Sequence, residues 1–257
     1  MTVYLVGAGP GSPDLLTVRA ARLLAAADIV VHDRLVDSRI LEMAPSTATV
    51  IDAGKYPGGP SDAQAHINAV LVDAARRTSV VVRLKGGDPY VFGRGGEEAV
   101  ALRSAGVEVE VVPGVSSAIA GPAAAGIPVT MRGLSSGFTV VTGHQDPAGT
   151  DPLDWEALAR LGTTLVVLMG ASRAAAIADR LLTAGMAPAT PVAAVESATS
   201  VEQRVLRSRL DELADLAEGT IQAPAVLVVG EVAGLDVADA EFGALVSEMA
   251  SETGGGR

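Results

Sequence analysis

The stretch from Arg83 to Glu98, RLKGGDPYVFGRGGEE, combines residue types that purely structural loops seldom combine. Two adjacent glycines, Gly86 and Gly87, allow the backbone to approach a ligand closely, and Asp88 places a carboxylate beside them. Two aromatic residues follow, and two glutamates stand where a helix is expected to begin. This composition predicts a ligand-binding loop between a strand and a helix.

Charged residues also follow two other apolar runs. The carboxyl ends of parallel strands line the crevice where α/β proteins bind ligands, so Asp33 could be a general base there and Lys55 could bind a carboxylate or donate a proton. A helix N-cap or a local pair with Arg34 explains Asp33 more simply from its segment alone, and an ordinary exposed lysine explains Lys55. Lys55 and Lys85 are the only lysines among 19 basic residues, and a need for an ammonium group would account for them.

A glycine-rich turn, GAGPGS at Gly7–Ser12, follows the first apolar run. It is similar to the G-x-G-x-x-G loop of dinucleotide-binding proteins, but Ser12 occupies the third glycine position. Pro10 and Pro13 also lack the N–H groups that a phosphate would need. A plain strand–helix turn is one alternative, and a compact loop lining a cleft for a ligand without phosphates fits better.

The composition argues against several kinds of site and partner. The chain has no cysteine, which excludes disulfides and thiolate metal sites, and its three histidines have no metal-ligand spacing, so we expect no metal. A net charge of −11 disfavours nucleic acid as a partner. No apolar run approaches the roughly 18 residues that span a bilayer, and the first run lacks the basic flank of a signal peptide. We therefore expect a folded, cytoplasmic protein that neither spans nor binds a membrane.

Apolar runs alternate with helical patterns in the first half of the chain, which predicts a mostly parallel α/β sheet. In the second half two strands follow each other without a helix, which predicts a mixed sheet. We therefore expect two α/β domains, residues 1–113 and 114–235, and a partly disordered tail at residues 236–257. The predicted strands are Val3–Gly7, Ile29–His32, Val50–Asp52, Val80–Leu84, Val107–Val112, Phe138–Thr142, Thr164–Met169, Pro191–Val195, Gln203–Arg209 and Ala225–Val229. The predicted helices include Leu15–Ala26, Ala63–Arg77, Glu97–Ala105, Trp155–Arg160, Arg173–Ala184 and Leu210–Ala217.

Taken in order, these motifs closely resemble those of the uroporphyrinogen-III C-methyltransferases, in the tetrapyrrole methylase superfamily. The resemblance runs to about Leu235. Its motifs are VGAGPGSPDLLT, HDRLV, GK, RLKGGDPYVFGRGGEE, VVPGVSSA, GIPVT, VTGH, LVVLMG and TSVEQRV. The resemblance implies two α/β domains of the tetrapyrrole methylase fold, an active site in the interdomain cleft, and a homodimer. It also implies that S-adenosylmethionine methylates uroporphyrinogen III at C2 and C7, giving precorrin-2 through precorrin-1, and S-adenosylhomocysteine, for siroheme or cobalamin biosynthesis.

The resemblance further implies roles for individual residues. Asp33 would be the proton acceptor and Lys55 the proton donor. The methyl donor would be bound by Pro10, Gly86, Gly87, Asp88, Val91, Ser116, Ser117, Met169 and Ala198. Because the tetrapyrrole is rich in carboxylates, nearby basic groups are candidate anchors for it. Besides Lys55, these are Arg34, Arg83, Arg94 and Arg132. The chain has Met131 where the family often has histidine, so any role of that histidine is absent.

Four other functions are weighed against this one. A methylase of a later cobalamin precursor is disfavoured by the complete RLKGGDP-to-GRGGEE run, and an RNA methylase by the acidic balance. A dinucleotide oxidoreductase would explain the first glycine loop but not the central motif. A noncatalytic binding module would leave Asp33 and Lys55 unexplained.

Overall fold

The structure is a computed structural model, and it describes residues 1–54, 60–144, 153–217 and 220–237. Lys55 and all but the first two residues of the predicted tail lie outside the described residues. Contacts within the chain divide it into two compact units, Met1–Ser116 and Ser117–Arg257, whereas the sequence predicts a boundary after Pro113. Each unit is built on its own sheet.

The first unit is an α/β layer structure with a parallel sheet. Its described strands are β1 (Thr2–Gly7), β2 (Ile29–His32), β3 (Thr49–Asp52), β4 (Val80–Lys85) and β5 (Glu108–Val112), in the order β3-β2-β4-β1-β5. Its helices are α1 (Val18–Ala25), α2 (Ser38–Leu41), α3 (Pro60–Arg77) and α4 (Gly95–Ser104). Every described strand pair in this sheet is parallel. The loops that leave the strands therefore meet at one edge of the sheet.

Both faces of this sheet are covered, which explains why its strands are nearly continuous apolar runs. On one face Leu5 belongs to the same core cluster as Leu102 of α4, and on the other Val30 belongs to the same cluster as Leu24 of α1. Helix α1 begins later than the predicted Leu15, because the hydroxyl of Thr17 caps it by accepting from the N–H of Ala20 at 3.1 Å.

The second unit contains a mixed sheet, as the sequence predicts. Its described strands are β6 (Phe138–Thr142), β7 (Thr164–Leu168), β8 (Pro191–Glu196), β9 (Arg204–Arg209) and β10 (Ala225–Val229), in the order β6-β7-β10-β8-β9. Its helices are α5 (Ser117–Ala124), α6 (Trp155–Arg160), α7 (Ala174–Thr183) and α8 (Leu213–Ala217). Strands β6 and β7 are parallel, and β10 is antiparallel to both β7 and β8. Hence β7 and β8 run in the same direction and end at the same edge.

Within the described ranges, no helix is long and apolar enough to cross a bilayer.

Candidate functional site

Glycines close the carboxyl edge of the first sheet. Gly9 and Gly87 exchange two backbone hydrogen bonds, at 3.1 and 2.7 Å, and their φ angles of 75° and 64° favour glycine. A Cβ atom on Gly114 would lie 2.2 Å from the carbonyl oxygen of Gly87 and 2.7 Å from the Cα of Gly7. No side chain fits between these backbones, so the ends of β1, β4 and β5 meet as bare main chain.

Gly86 lies between Lys85, the last residue of β4, and Gly87, which pairs with Gly9. It is exposed, and a Cβ atom built on it would meet no other atom within 4 Å. Its φ lies outside the left-handed range, so neither packing nor backbone conformation requires a glycine here. Open main chain of this kind admits a ligand in van der Waals contact, which fits the donor site that the sequence predicts. Pro10, half-buried, directly follows the Gly9–Gly87 bridge.

Asp88 organises the loop after β4. One carboxylate oxygen accepts from the N–H of Tyr90 at 2.8 Å, and the other accepts from the N–H of Gly114 at 3.0 Å. This second bond ties the loop after β4 to the loop after β5, which leads to the half-buried Ser116. Val91 is exposed, and its N–H donates to the carbonyl of Asp88 at 3.2 Å. These predicted donor-binding residues of the first unit therefore share one connected set of loops.

Four charged side chains, Asp33, Arg83, Lys85 and Glu98, form a charge cluster at the same edge. Val81 packs in the core that α3 and α4 cover, and side chains alternate along a strand, so Arg83 and Lys85 point to that face. Glu98, in the first turn of α4, meets them there. Arg83, Lys85 and Glu98 are 1%, 2% and 0% exposed, whereas the side chain of Asp33 is 36% exposed.

Hydrogen bonds connect the charge cluster from the core outward. Oε1 of Glu98 accepts from Nε and Nη2 of Arg83 at 3.1 and 3.0 Å, and from Nζ of Lys85 at 3.0 Å. Nη2 of Arg83 also donates to Oδ1 of Asp33, and Nζ of Lys85 lies 3.7 Å from Oδ2 of Asp33. Burial lowers the pKa of Arg83, but the charges of Asp33 and Glu98 and their hydrogen bonds outweigh it and raise that pKa above its ordinary value. The cluster pairs two cations with two anions, as buried charges require.

The structure excludes the two structural explanations that the sequence offers for Asp33, a helix N-cap and a pair with Arg34. Its N–H donates to the carbonyl of Leu84 at 3.1 Å, which fixes its backbone to β4. Asp37, not Asp33, caps α2, and the ionic partner of Asp33 is Arg83 rather than Arg34. Asp33 is therefore a partly exposed carboxylate that Leu84 and Arg83 hold at the edge of the sheet.

The position of Arg83 corrects the expectation that this residue anchors the substrate. Its guanidinium is enclosed in the first unit, and its donors are directed to carboxylates and to carbonyl oxygens at the ends of β2 and β4. A side chain that is 1% exposed cannot bind carboxylates of a tetrapyrrole. Arg83 instead contacts Asp33.

Two of the other candidate anchors are at the surface of the first unit. Arg34 is exposed and lies against Gly54, where an added Cβ atom would come within 2.8 Å of the Arg34 Cβ. Arg94 is exposed at the start of α4, and it donates to Glu97 from Nε at 3.0 Å and Nη2 at 2.5 Å. The hydrogen bond from Arg94 lowers the pKa of Glu97 and in turn raises that of Arg94.

In the second unit, Met169 and Ala198 follow β7 and β8 at the same edge of the sheet. Met169 is 49% exposed and has a φ angle of 56°. Ala198 lies between Ser197 and Thr199, whose φ angles are 44° and 68°. A non-glycine residue in this region costs roughly 1 to 3 kcal/mol, and such strain concentrates at ligand sites. Both turns therefore have the conformation expected of a binding site.

Ser117 and Arg132 also belong to the second unit. Ser117 begins α5, and this helix packs beside Ala198, since a Cβ atom on Gly121 would lie 3.8 Å from the Cβ of Ala198. Arg132 is exposed, whereas its neighbour Met131 packs, partly buried, against the core of the unit. The described residues contain no group of three or more histidine and acidic side chains that could hold a metal ion.

Sequence reasoning noted Lys85 as one of two lysines, but it did not connect Lys85 or Glu98 with Asp33. The signal was available, because Arg83 and Lys85 are charged residues two positions apart at the end of an apolar run. Side chains with that spacing point to one face of a strand, and an acid in the first turn of the next helix is a natural partner. The sequence alone does not show that the helix packs on that face.

Comparison with known proteins adds to this geometry. Residues 2–214 match the model of the family described as tetrapyrrole (corrin/porphyrin) methylases. An S-adenosyl-L-methionine-dependent uroporphyrinogen III methyltransferase of Methanosarcina barkeri is 52% identical over 232 residues, which are 90% of this chain and 91% of that protein.

Solved structures of tetrapyrrole methyltransferases are also similar to this chain. Uroporphyrin-III C-methyl transferase of Thermus thermophilus, solved in complex with S-adenosylhomocysteine, is 44% identical with a TM-score of 0.79, over 93% of this chain and 99% of that one. A cobalt-precorrin-4 methyltransferase has a TM-score of 0.81 at 27% identity, over 91% and 96% of the two chains. The TM-scores are thus nearly equal for methylases named for different tetrapyrroles, whereas sequence identity is higher with the uroporphyrin-III C-methyl transferase.

Proposed function

We propose that this chain, which belongs to the family of tetrapyrrole (corrin/porphyrin) methylases, transfers methyl groups from S-adenosylmethionine to uroporphyrinogen III. The observation that carries the proposal is sequence identity along nine tenths of the chain with a relative named for this activity. The loops described above supply what the chemistry needs, namely open main chain for a donor and a partly exposed carboxylate beside it.

The donor is assigned to the glycine loops of the first unit and to Met169 and Ala198 of the second. S-adenosylmethionine supplies a methyl group that its sulfonium already activates, so the protein has to align that group and exclude water. Bare backbone at Gly86 and an exposed apolar side chain at Met169 suit these tasks. No serine or cysteine nucleophile is required.

Asp33 is assigned the role of proton acceptor. The carbon of the pyrrole ring is the nucleophile, and its methylation leaves a cationic ring system that must lose a proton. A carboxylate within reach of the substrate removes that proton. Lys55 is proposed as the proton donor, and Arg34, Arg94 and Arg132 are proposed as anchors for the carboxylates of the tetrapyrrole. Methylation at C2 and then C7 would give precorrin-2.

The direct test uses purified protein, S-adenosylmethionine and uroporphyrinogen III generated enzymatically, with products separated and weighed by mass spectrometry. We expect a singly and then a doubly methylated tetrapyrrole, together with S-adenosylhomocysteine. Binding of S-adenosylhomocysteine without any methylated product would refute the assignment of uroporphyrinogen III as the substrate. Methylation of cobalt-precorrin-4 in place of uroporphyrinogen III would assign the chain to another branch of the family.

We further propose a homodimer, the state that the resemblance implies, in the cytoplasm, the compartment that the composition favours. Size-exclusion chromatography with light scattering tests the first part, and a monomeric mass at assay concentration would contradict it.

A further inference from the structure

We infer that Lys85 and Glu98 are positioning residues that act through Asp33. This inference rests on the proposed function, because it assigns a purpose to the buried side of the same carboxylate. Neither residue can touch the substrate, since both are almost completely buried.

The contacts lead from Glu98 to Asp33 by two routes. Through Arg83, one guanidinium nitrogen, Nη2, donates to Oε1 of Glu98 at 3.0 Å and also to Oδ1 of Asp33. Through Lys85, the ammonium donates to Oε1 of Glu98 at 3.0 Å and lies 3.7 Å from Oδ2 of Asp33. Both cations are therefore held between the buried carboxylate of Glu98 and the partly exposed carboxylate of Asp33.

The bonding of Glu98 is one-sided. Its Oε1 atom accepts three hydrogen bonds, whereas Oε2 is buried and has no partner among the described residues. A buried acceptor without a partner is costly, and a buried ion pair contributes little to stability compared with well-packed apolar side chains. Folding alone therefore gives no reason for this arrangement. It is explained if the two cations have to be fixed beneath Asp33.

The two carboxylate oxygens of Asp33 differ in their contacts with the charge cluster. Oδ1 accepts from Arg83, whereas Oδ2 lies 3.7 Å from the ammonium of Lys85, which is beyond hydrogen-bond distance. Oδ2 thus keeps its lone pairs for a proton from the substrate. The ammonium keeps that oxygen oriented by charge alone, which suits the compact point charge of lysine better than the planar donors of arginine.

The test measures kcat and the dissociation constant of S-adenosylhomocysteine for Lys85→Met, Glu98→Gln and Asp33→Asn, and for Lys85→Met combined with Asp33→Asn. For Lys85→Met and Glu98→Gln, we expect kcat to fall on the order of 10- to 100-fold, the scale of a misplaced catalytic group, with donor affinity within twofold of the wild type. Because Lys85 acts through Asp33, the double variant should be no slower than Asp33→Asn.

A matched control removes a carboxylate at the other end of β4. Asp28 accepts from the hydroxyl of Thr78 and, at 3.1 Å, from the N–H of Val80. Asp28→Asn therefore tests general weakening of the same strand, and it should leave kcat unchanged. Where Lys85→Met fails to fold, Lys85→Met with Glu98→Gln replaces it, because this pair removes one cation and one anion and keeps the cluster formally neutral.

The outcomes separate the two claims. If the wild-type protein does not methylate uroporphyrinogen III, both the proposed function and this inference are wrong. An active wild type with kcat within twofold in Lys85→Met overturns the inference alone. So does a double variant whose loss is the product of the two single losses, because a merely structural role would act independently of Asp33.

Discussion

Substitution of Gly86 by alanine separates donor binding from folding. A Cβ atom at this position meets nothing within 4 Å, and the backbone φ lies outside the left-handed range. Alanine therefore introduces no clash within the protein. It should raise the free energy of unfolding by about 0.4 to 1 kcal/mol, because it restricts the unfolded chain more than glycine does.

The expected effect on the donor has the opposite sign. If the donor lies against the main chain at Gly86, the added methyl group occupies space that the ligand needs. Overpacking by one methyl group typically costs about 1 to 3 kcal/mol. This cost corresponds to a dissociation constant that is roughly 5- to 150-fold larger. The variant should thus be slightly more stable and bind clearly less well.

Isothermal titration calorimetry with S-adenosylhomocysteine and urea unfolding measure the two effects on one sample. Gly96→Ala is the matched control, because a Cβ atom there also meets nothing within 4 Å and the position lies ten residues further on, in α4. Gly114→Ala is the opposite control, since its Cβ atom would lie 2.2 Å from a backbone oxygen and should destabilise the fold by about 3 kcal/mol. A dissociation constant within twofold of the wild type in a folded Gly86→Ala protein would remove Gly86 from the donor site.

Other substitutions address the second unit and the first helix. Burial raises the pKa of Glu196, but hydrogen bonds from Arg204 and from the N–H of Gln222 outweigh it and lower that pKa overall. A lowered pKa stabilises the fold above the ordinary glutamate value, and this contribution is lost as the pH falls through the folded-state pKa. Glu196→Gln should therefore lower the free energy of unfolding in urea by about 1 to 2 kcal/mol at pH 7 and by much less near pH 3. An equal decrease at the two pH values would contradict this reasoning. Met169→Ala should lower the affinity for S-adenosylhomocysteine about tenfold with little change in the free energy of unfolding. An unchanged affinity in calorimetry would exclude Met169 from the donor site. Thr17→Ala should cost about 1 kcal/mol in urea unfolding and leave donor affinity unaltered, whereas unaltered stability would show that the cap contributes nothing.

The sequence predicts most of the fold because apolar runs mark strands that are buried on both faces. The departures have local causes. Helix α2 at Ser38–Leu41 is too short to show a periodicity, and it goes unpredicted. Strand β4 extends to Lys85, one residue beyond its predicted end, because a lysine beside a glycine is typical of a turn and its burial cannot be known before its partners are.

The candidate site could be proposed from the sequence where it depends on neighbouring residues, but not where it depends on pairing across the sheet. The glycine loops and Asp33 stand out in their own segments. The partner of Asp33 is 50 residues away in sequence, on a strand that lies beside β2 only because of the strand order. Local reasoning therefore offered Arg34, which is adjacent in sequence, as the partner of Asp33, and it took Arg83 for a candidate substrate anchor.

The strand order also explains how the charge cluster and the proposed donor loop share one edge of the sheet without sharing side chains. Strand β4 lies between β2 and β1, so its end faces Asp33 on one side and the Gly9 loop on the other. Arg83 and Lys85 turn toward the buried carboxylate, while Gly87 pairs with Gly9 in the main chain. The two sets of contacts share no side chain, so they should be separable. Asp33→Asn combined with Gly86→Ala should bind S-adenosylhomocysteine as Gly86→Ala alone does, and a further loss of affinity in the combined variant would show that the charge cluster also shapes the donor loop.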